Sequence, residues 1–514
     1  MSSRFALWIG FPFVVTALAT SYFPTYSIRE SFALTFIVLS IGRSIWNGHF
    51  ESLVKLPGGC SSRKWMQEVP NSGLLRYYLI ANSERILVLS AKALGEVLVS
   101  KCDDYIKPSH VKVLLESKIG KGILLTEGEH HRYQRKLLQP AFSFRHVKTL
   151  YPIFWNKGIE MANAIVKSLE LSPEKPKVIR VSDWANRITL DIIGLAGMDH
   201  DFDSIHNPMN RLHMEYRKVF REPSKLTMFL QFSSLLISPR LFTHLPLKHN
   251  RKVEEGVQYI RSICKQIVLE KRQKMERKET GGVDILSIAM ESGGFTNEQL
   301  VDQMMTFLAA GHETTASALQ YVIYALCKHS KIQTRLREEI RSSLSSISFD
   351  SPTPIASSLI DSLPYLHAVC SETLRFYSPV PFTVREAVRD TMLLDTFIPK
   401  GTNITIAPAA TNHDPDLWGP DAGIFNPERW MGPGKTNSGG ATNNYAFLTF
   451  IHGPRSCIGS TFARSELACL VAVMVGRFEM ELLEPEKELI IKKGGVAAPE
   501  DGVVVKLKVV ENGT

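Results

Sequence analysis

The stretch Phe447–Leu467 reads FLTFIHGPRSCIGSTFARSEL and places one cysteine among glycines, a proline and two arginines, directly before a segment that predicts a helix. Gly453 and Gly459 flank Cys457, and glycines allow another group to approach the backbone closely. A buried free cysteine that acts as a small apolar side chain is the ordinary alternative. The stretch therefore raises the question of what contacts the sulfur of Cys457.

The composition is that of a large globular protein. The chain has 514 residues, of which 44% are hydrophobic and 22% charged, and it has no internal repeat. Its seven cysteines are scattered and form no C-x-x-C pair, which argues against a disulfide framework or a structural zinc site and is typical of a reducing compartment. The formal charge of +9 comes from dispersed Lys and Arg, so we expect a membrane surface or an acidic protein as partner and no nucleic acid.

The N-terminus predicts a membrane anchor with its linker over residues 1–55. No charged residue interrupts residues 5–27, which are long enough to span a bilayer as a helix. A cleaved signal peptide is the alternative, but the segment lacks a strongly basic start and a clear small-x-small cleavage site. Residues 31–47 are a candidate second span, and residues 56–514 are expected to form a single catalytic domain.

Beyond residue 60 the sequence predicts a mainly α-helical fold with a minor β-sheet region. Long segments with helical periodicity lie at 154–169, 253–277, 297–329 and 333–344. Short β-branched or aromatic segments lie at 75–80, 85–89, 383–387 and 502–509. Residues 412–440 are too rich in turn formers for regular elements, and such a stretch inside a domain is uncommon unless it wraps something or serves function.

The helical segment Val301–Leu326 carries polar residues in an apolar surrounding. Within it, AAGHETTAS (Ala309–Ser317) contains Gly311, which costs about 1 kcal/mol relative to Ala inside a helix. Glu313 and Thr314 follow. One interpretation is a surface acid beside β-branched core residues. The other is a small residue that opens a groove against a flat ligand, where the acid and the alcohol deliver protons.

Three charged residues predict a link between a helix and the irregular segment. Glu372 and Arg375 are three residues apart and share a helical face. An exposed pair of this kind is weak and is usually a solvated face. Arg429 in FNPERW (Phe425–Trp430) would extend the pair to a triad.

Cys457 needs a metal or nearby positive groups to exist as a thiolate at neutral pH. Arg455 stands two residues before it. No nucleophile signature of a cysteine protease surrounds it. A thiolate axial ligand to haem iron is the specific alternative to a free thiol.

Four motifs together carry a resemblance to a known family. FIHGPRSCIG (Phe450–Gly459) resembles the cytochrome P450 signature F-x-x-G-x-R-x-C-x-G at every fixed position. AGHETT (Ala310–Thr315) is similar to the oxygen-activating motif of that family, ETLR (Glu372–Arg375) to its E-x-x-R and FNPERW to its P-E-R-F/W segment. The motifs occur in the family order, and the resemblance covers nearly the whole chain, including an N-terminal anchor like that of microsomal members.

The resemblance implies a membrane-bound haem-thiolate monooxygenase that inserts one oxygen atom of O2 into a hydrophobic small molecule. Hydroxylation or epoxidation in secondary-metabolite, lipid or terpenoid metabolism would fit. Because no flavin or nicotinamide fingerprint is evident, electrons from NADPH are expected through a separate cytochrome P450 reductase, with cytochrome b5 as a further candidate partner. The implied location is the endoplasmic reticulum membrane, with the catalytic domain facing the cytosol.

The resemblance also assigns residues to the cofactor. Cys457 is the implied proximal ligand of haem b, Phe450 packs near it, and Arg455 and Arg385 contact propionates. Arg135 corresponds to the arginine of the family's W-x-x-x-R. His131 replaces the tryptophan of that motif and could still donate a hydrogen bond to a propionate, the alternative being a polar residue on an exposed helix face.

The same resemblance assigns the distal side. Glu313 and Thr314 are the expected proton-delivery and oxygen-stabilising residues, whereas His312 is expected on the helix surface or in the pocket wall and not as a ligand. The pocket is expected from the loop before 120–125 and from residues 226–242, 379–384 and 495–498. Its candidate contacts are Phe307, Leu308, Val380, Val384 and Val496. Residues 226–242 could equally dip into the membrane or pack as a buried helix.

Two other functions stay open. One is a haem-thiolate isomerase or dehydratase that needs no external electrons. The other is a non-enzymatic membrane haem-binding sensor. The intact Glu313–Thr314 pair argues against both, because neither needs an oxygen-activating set.

Overall fold

The structure is a computed structural model that describes residue 49 and residues 59–79, 83–170, 177–220, 248–279, 282–492 and 495–510. The expected spans at 5–27 and 31–47 and the apolar segment 226–242 lie outside these residues. In the part of the chain that is described, the helices are all too short or too polar to cross a membrane.

Helices dominate the described chain, as the sequence predicts. They are α1 Cys60–Glu68, α2 Ala91–Gly95, α3 Ser109–Ile119, α4 Gly128–Leu138, α5 Phe144–Val147, α6 Tyr151–Glu170, α7 Val181–Met198, α8 Arg211–Val219, α9 Lys248–Glu276, α10 Ile285–Glu291, α11 Asn297–Lys328, α12 Ser330–Ser343, α13 Ser357–Asp361, α14 Pro364–Phe376, α15 Pro408–Thr411, α16 Pro415–Trp418 and α17 Ser460–Arg477.

The described strands form three small sheets. They are β1 Leu74–Tyr78, β2 Glu84–Val88, β3 Tyr105–Ile106, β4 Val178–Arg180, β5 Thr383–Ala387, β6 Thr391–Leu393, β7 Thr396–Ile398, β8 Asn403–Ile406, β9 Phe478–Leu482 and β10 Val504–Val509. The largest sheet has the order β1-β2-β8-β5-β3, in which β2 and β8 are parallel and the other neighbours antiparallel. The antiparallel β4-β10-β9 sheet and the β6-β7 hairpin complete the set.

Periodicity predicted these elements well and their ends less well. The strand expected at 383–387 agrees at both ends, whereas the helix expected at 154–169 begins earlier, at Tyr151. Residues 412–440 are mostly irregular as expected, but they include α16 and a 3-10 turn over Pro427–Trp430. Those short helical turns begin with proline, which suits the first turn of a helix.

Helix α11 is the central element of the fold and packs against α7, α9 and α17. It begins with a capping box in which the Thr296 hydroxyl accepts from the Gln299 N–H and the Gln299 side chain accepts from the Thr296 N–H. A Cβ on Gly311 would lie 3.1 Å from the Ile193 side chain of α7. Gly311 therefore allows close packing of two helices, which corrects the expectation that it opens a groove for a flat ligand.

The predicted triad is present and buried. Arg375 donates from Nε and Nη2 to the two carboxylate oxygens of Glu372, each at 2.8 Å. Arg429 Nε donates to Glu372 Oε1 at 3.2 Å. The Glu372 and Arg375 side chains are 0% exposed and that of Arg429 is 5% exposed, so the solvated-face alternative is wrong.

The triad holds the irregular segment on α14. Arg375 Nη1 donates to the carbonyls of Asn412 and Ala422, at 2.6 and 2.8 Å. Two further donors reach the Glu372 carboxylate, the Trp430 indole N–H at 2.9 Å and the Asn426 backbone N–H at 2.8 Å. Neither donor is predicted by the local sequence around Glu372.

We expect Glu372→Gln to destabilise the protein by about 3–5 kcal/mol, because it leaves Arg375 and Arg429 buried without their shared carboxylate. Chemical denaturation of the holoprotein measures this change in the free energy of unfolding. Glu428→Gln is the control, since Glu428 pairs with Arg335 on the surface and such a pair contributes at most about 1 kcal/mol. Equal effects of the two substitutions would contradict the structural role of the triad.

Candidate active site

Cys457 follows a 3-10 turn over Gly453–Arg455 and precedes α17. Its backbone N–H donates to the Phe450 carbonyl at 2.9 Å. Burial raises the pKa of the thiol, while a hydrogen bond from the Gly459 N–H and the charge of Arg135 act to lower it. The side chain nevertheless has exposed surface. The side chain is thus flanked by protein and still accessible, so a ligand can reach the sulfur.

The two flanking glycines have different surroundings. Gly453 has φ of 76°, and a Cβ there would overlap the Leu98 carbonyl in the π-helical turn Glu96–Ser100. The close approach expected at Gly453 is therefore made by the protein's own backbone. Around Gly459, the only atom within 4 Å of an added Cβ is Phe142 Cε1, at 3.8 Å, among the described residues. Gly459 therefore has room for a Cβ, unlike Gly453.

Phe450 packs partly buried against the main hydrophobic core beside the Cys457 backbone. The Arg464 guanidinium of α17 lies 4.9 Å from the centre of its ring and 5.0 Å from that of Phe447. Cation–π contacts of this kind are modestly favourable. They orient the ring that precedes the cysteine turn.

Two of the predicted propionate-binding arginines are tied to the segments around Cys457. Arg135 of α4 donates from Nη1 to the Ser456 carbonyl at 2.7 Å and from Nη2 to the Ser456 hydroxyl at 3.1 Å. Arg455 donates to the Thr126 carbonyl at 2.6 Å and forms an ion pair with Glu127. Arg135 is thus bonded to the residue before Cys457, and Arg455 itself lies two residues before it. Both guanidinium groups are held in place by these bonds.

Arg385 and Lys107 add two further cations to the same place. Arg385 of β5 is 6% exposed and donates to the Thr383 hydroxyl at 3.1 Å and the Val384 carbonyl at 2.9 Å. Burial, together with repulsion from Arg385, lowers the pKa of Lys107 to about 7. Lys107 escaped the sequence analysis, because a single lysine before Pro108 has no distinguishing pattern.

We call Lys107, Arg135, Arg385 and Arg455 the cation cluster. Among the described residues, its carboxylate partner is Glu127. Burying an excess of positive charge is unfavourable unless anions neutralise it. The two propionates of haem would supply the missing negative charge, and the Cys457 sulfur would supply an iron ligand. The residues present therefore fit the group that the resemblance implies.

His131 lies inside this region. It is 4% exposed, so the alternative of an exposed helix face is wrong. Burial and the neighbouring Arg455 and Arg135 lower its pKa to about 3. The imidazole is therefore neutral at physiological pH and has one N–H to donate. Donation to a propionate stays a prediction.

The predicted oxygen-activating turn presents one face of α11 to the interior. The Thr314 hydroxyl donates to the Ala310 carbonyl at 2.7 Å, and both residues have accessible surface. Phe307 lies on the same face, since residues three, four and seven apart share a helical face. The Phe307 ring packs 5.4 Å from that of Phe142, the residue beside Gly459. Phe142 thus contacts both α11, at Phe307, and the residues that follow Cys457.

Glu313 and His312, the neighbours of Thr314 on α11, differ in their surroundings. Burial raises the pKa of Glu313, against the opposing charges of Lys492 and Lys118. His312 is buried, with Nδ1 2.7 Å from the Leu308 carbonyl and its ring edge-on to Tyr216 at 5.0 Å. His312 is thus part of the packing between helices, and a place on the helix surface is wrong.

The pocket candidates fall into two groups. Accessible surface remains on three of them, Val380, Val384 and Val496. Their segments are joined by a hydrogen bond from the Ala497 N–H to the Pro379 carbonyl, at 2.8 Å. Leu308 has no accessible surface and packs in the main core, so its side chain contacts protein and we correct its assignment to the pocket. Substrate contact by the other candidates stays a prediction.

The loop at 120–125 is held against α11. Gln303 of α11 accepts from the Ile123 N–H at 2.9 Å and donates to the Gln134 side chain at 3.0 Å. A Cβ on Gly122 would overlap the Thr306 hydroxyl. One helix thus positions both the polar Ala310–Thr314 face and residues 120–125. The segment expected to border the substrate comes before them and is the helix α3.

Comparison with known proteins identifies relatives over most of the chain. The family model described as Cytochrome P450 matches residues 74–507. The chain is 50% identical over 453 residues to cytochrome P450 monooxygenase sphH of Aspergillus fumigatus, covering 87% of this chain and 83% of that protein. It is 42% identical to FUM15 of Gibberella moniliformis (89% and 85% covered) and 32% identical to ptmK of Penicillium ochrochloron (98% of both), which carry the same description.

We expect Lys107→Met to speed the loss of haem from the holoprotein severalfold, because it removes a half-buried amino group whose positive charge would neutralise a propionate. The rate of haem transfer to excess apomyoglobin measures this loss. Lys136→Met removes a lysine from the exposed side of α4 and should leave the rate unchanged. If the two variants lose haem equally fast, Lys107 does not belong to the cation cluster.

Proposed function

The chain belongs to the cytochrome P450 family of haem monooxygenases, and from this premise we propose that it is bound to the endoplasmic reticulum membrane and oxidises a hydrophobic small molecule. The observation that carries the proposal is the accessible side chain of Cys457 beside the cation cluster, in which Arg135 donates to Ser456 and Arg455 donates to Thr126. The Ala310–Thr314 face of α11 also keeps accessible surface. No single motif of the sequence contains all three.

The haem, held by Cys457 and by the cation cluster with His131, would supply O2 binding and O–O bond cleavage, which thiolate donation to iron favours. The protein's own residues hold and move protons. The Thr314 hydroxyl donates a hydrogen bond to the Ala310 carbonyl, so its oxygen lone pairs are free to accept a hydrogen bond from water or an acid. Glu313 holds a proton closer to neutral pH than a surface glutamate does, because burial raises its pKa. We assign proton delivery to these two residues.

The membrane location and the substrate class form the finer part of the proposal. The uncharged residues 5–27 would anchor the chain, with 31–47 as a candidate second span. Val380, Val384 and Val496 would line an apolar pocket and favour a lipophilic substrate, by hydroxylation, epoxidation or a related oxidation. Secondary-metabolite, lipid or terpenoid metabolism is the setting that this chemistry suits.

The redox partner follows from the family, whose members take electrons from a reductase. For this chain we propose an NADPH-dependent cytochrome P450 reductase, with cytochrome b5 as a further candidate. The formal charge of +9 supports an acidic partner, because opposite charges steer association.

Two measurements separate this function from its rivals. The ferrous CO complex of the wild type should show the red-shifted band of thiolate ligation, and Cys457→Ala should lose it. Turnover of a panel of fatty acids and terpenoids should require both reductase and NADPH. Turnover without electrons would instead indicate an isomerase or dehydratase, and haem binding without any turnover would indicate a sensor.

We expect Thr314→Ala to lower the fraction of NADPH electrons that reach product and to raise hydrogen peroxide release, because proton delivery loses its hydroxyl. The ratio of product and peroxide to NADPH consumed measures this coupling. Thr314→Ser keeps a hydroxyl at the position and should retain most of the coupling. Unchanged coupling in Thr314→Ala would exclude the assigned role of Thr314.

A further inference from the structure

Glu466 of α17 is a buried carboxyl group outside the machinery described so far. Its residue is 1% exposed, and neither carboxyl oxygen has a hydrogen-bond partner of acceptable geometry among the described residues. The Thr315 hydroxyl of α11 is likewise buried, 3% exposed and unpartnered. Unpartnered buried polar groups are rare in folded proteins and need a physical explanation.

The two groups are neighbours. The Thr315 hydroxyl lies close enough to act on Glu466 and lower the pKa of the carboxyl, although the two groups do not meet the geometry of a well-formed hydrogen bond. Burial outweighs this effect and raises the pKa of Glu466 well above its usual range. A small rotation of either side chain would complete the bond.

The surroundings of Glu466 favour the neutral acid. The groups that affect it or respond to it are Thr315 and the Cys469 thiol, and no cation forms an ion pair with it in the described part of the chain. A buried carboxylate without a counter-charge takes up a proton instead of remaining ionised. A neutral carboxylic acid has one O–H to donate and a carbonyl oxygen to accept with.

The position of this pair gives it a mechanical consequence. Helix α11 carries Thr314 on its interior face, and Thr315, the next residue, points about 100° away around the helix, toward α17. Helix α17 begins three residues after Cys457. The Glu466–Thr315 contact therefore joins the helix of the oxygen-activating turn to the helix that leads from the cysteine.

We propose that Glu466 is a positioning residue for the oxygen-activating turn. Its neutral carboxylic acid donates a hydrogen bond to the Thr315 hydroxyl, and an internal water satisfies the remaining acceptor. The bond fixes the rotation of the turn that carries Glu313 and Thr314 relative to the Cys457 turn. Glu466 acts through Thr315 and touches neither substrate nor cofactor. The expected effect of Glu466 on turnover rests on the proposed role of Thr314. The hydrogen bond between Glu466 and Thr315 does not depend on that role.

Infrared difference spectra between the wild-type holoenzyme and Glu466→Gln test the bond directly. At neutral pH we expect the carbonyl band of a protonated carboxylic acid, absent from Glu466→Gln and shifted in Thr315→Val because the hydrogen bond is lost. A carboxylate band in its place, or a band that Thr315→Val leaves unmoved, overturns the proposal.

A double-mutant cycle tests the positioning role. We expect Glu466→Leu and Thr315→Val each to lower the coupling of NADPH to product severalfold, with the thiolate-type CO band retained. The double variant should be no worse than the poorer single variant, because both changes remove one interaction. Glu466→Gln keeps a neutral donor and should restore coupling toward the wild type. Thr189→Val removes a buried hydroxyl from α7 and is the matched control.

The outcomes separate this proposal from the proposed function. Additive losses in the double variant, or a Glu466→Gln variant as impaired as Glu466→Leu, overturn the positioning role of Glu466. Unchanged coupling in Thr314→Ala contradicts the role of Thr314 and leaves the infrared result to decide whether the bond exists.

Discussion

The hydrogen bonds of the Glu372 carboxylate are the interactions on which the path of the chain toward Cys457 depends. The carboxylate has no access to solvent and accepts from two arginines, an indole and a backbone N–H, so its lone pairs are satisfied inside the protein. Arg375, which Glu372 holds in place, donates to the Asn412 carbonyl. The Asn412 side-chain oxygen in turn accepts from the Leu448 N–H at 2.8 Å. Leu448 lies two residues before Phe450, where the cysteine turn begins. A buried ion pair is costly unless its geometry is complete, and here completion sets the path of the chain toward Cys457.

The network around Glu372 and the cation cluster differ in charge balance. Around Glu372 the arginines meet enough acids, since Arg429 also pairs with Asp421. In the cation cluster three arginines and one lysine meet only Glu127 in the described part of the chain. Carboxylates of the protein neutralise the first network, whereas the second keeps an excess of positive charge that the two propionates of the proposed haem would neutralise. Charge balance therefore distinguishes a structural arginine from a ligand-binding one where the residue type does not.

The motifs and the helical character of the fold can be predicted from the sequence. The surroundings of a residue cannot be predicted where they come from segments that are distant in the chain. Periodicity placed Thr314 on a helix, but it could not show that Gly311 faces Ile193 or that Leu308 has no access to a ligand. Lys107 and Glu466 have no local signature, because their surroundings come from distant segments. Trp430 was quoted within a motif, yet its bond to Glu372 required the folded chain.

The C-terminal segment contacts parts of the chain that are synthesised much earlier. The Ala497 carbonyl accepts from the Ser317 hydroxyl on α11, and β10 pairs with β4, which lies more than half the chain earlier. Contacts between such distant segments form late in folding, and during synthesis the N-terminal portions leave the ribosome first. These contacts with α11 and β4 therefore form only after residues 497–509 have been synthesised. Until then, the part of α11 around Ser317 lacks the segment that covers it.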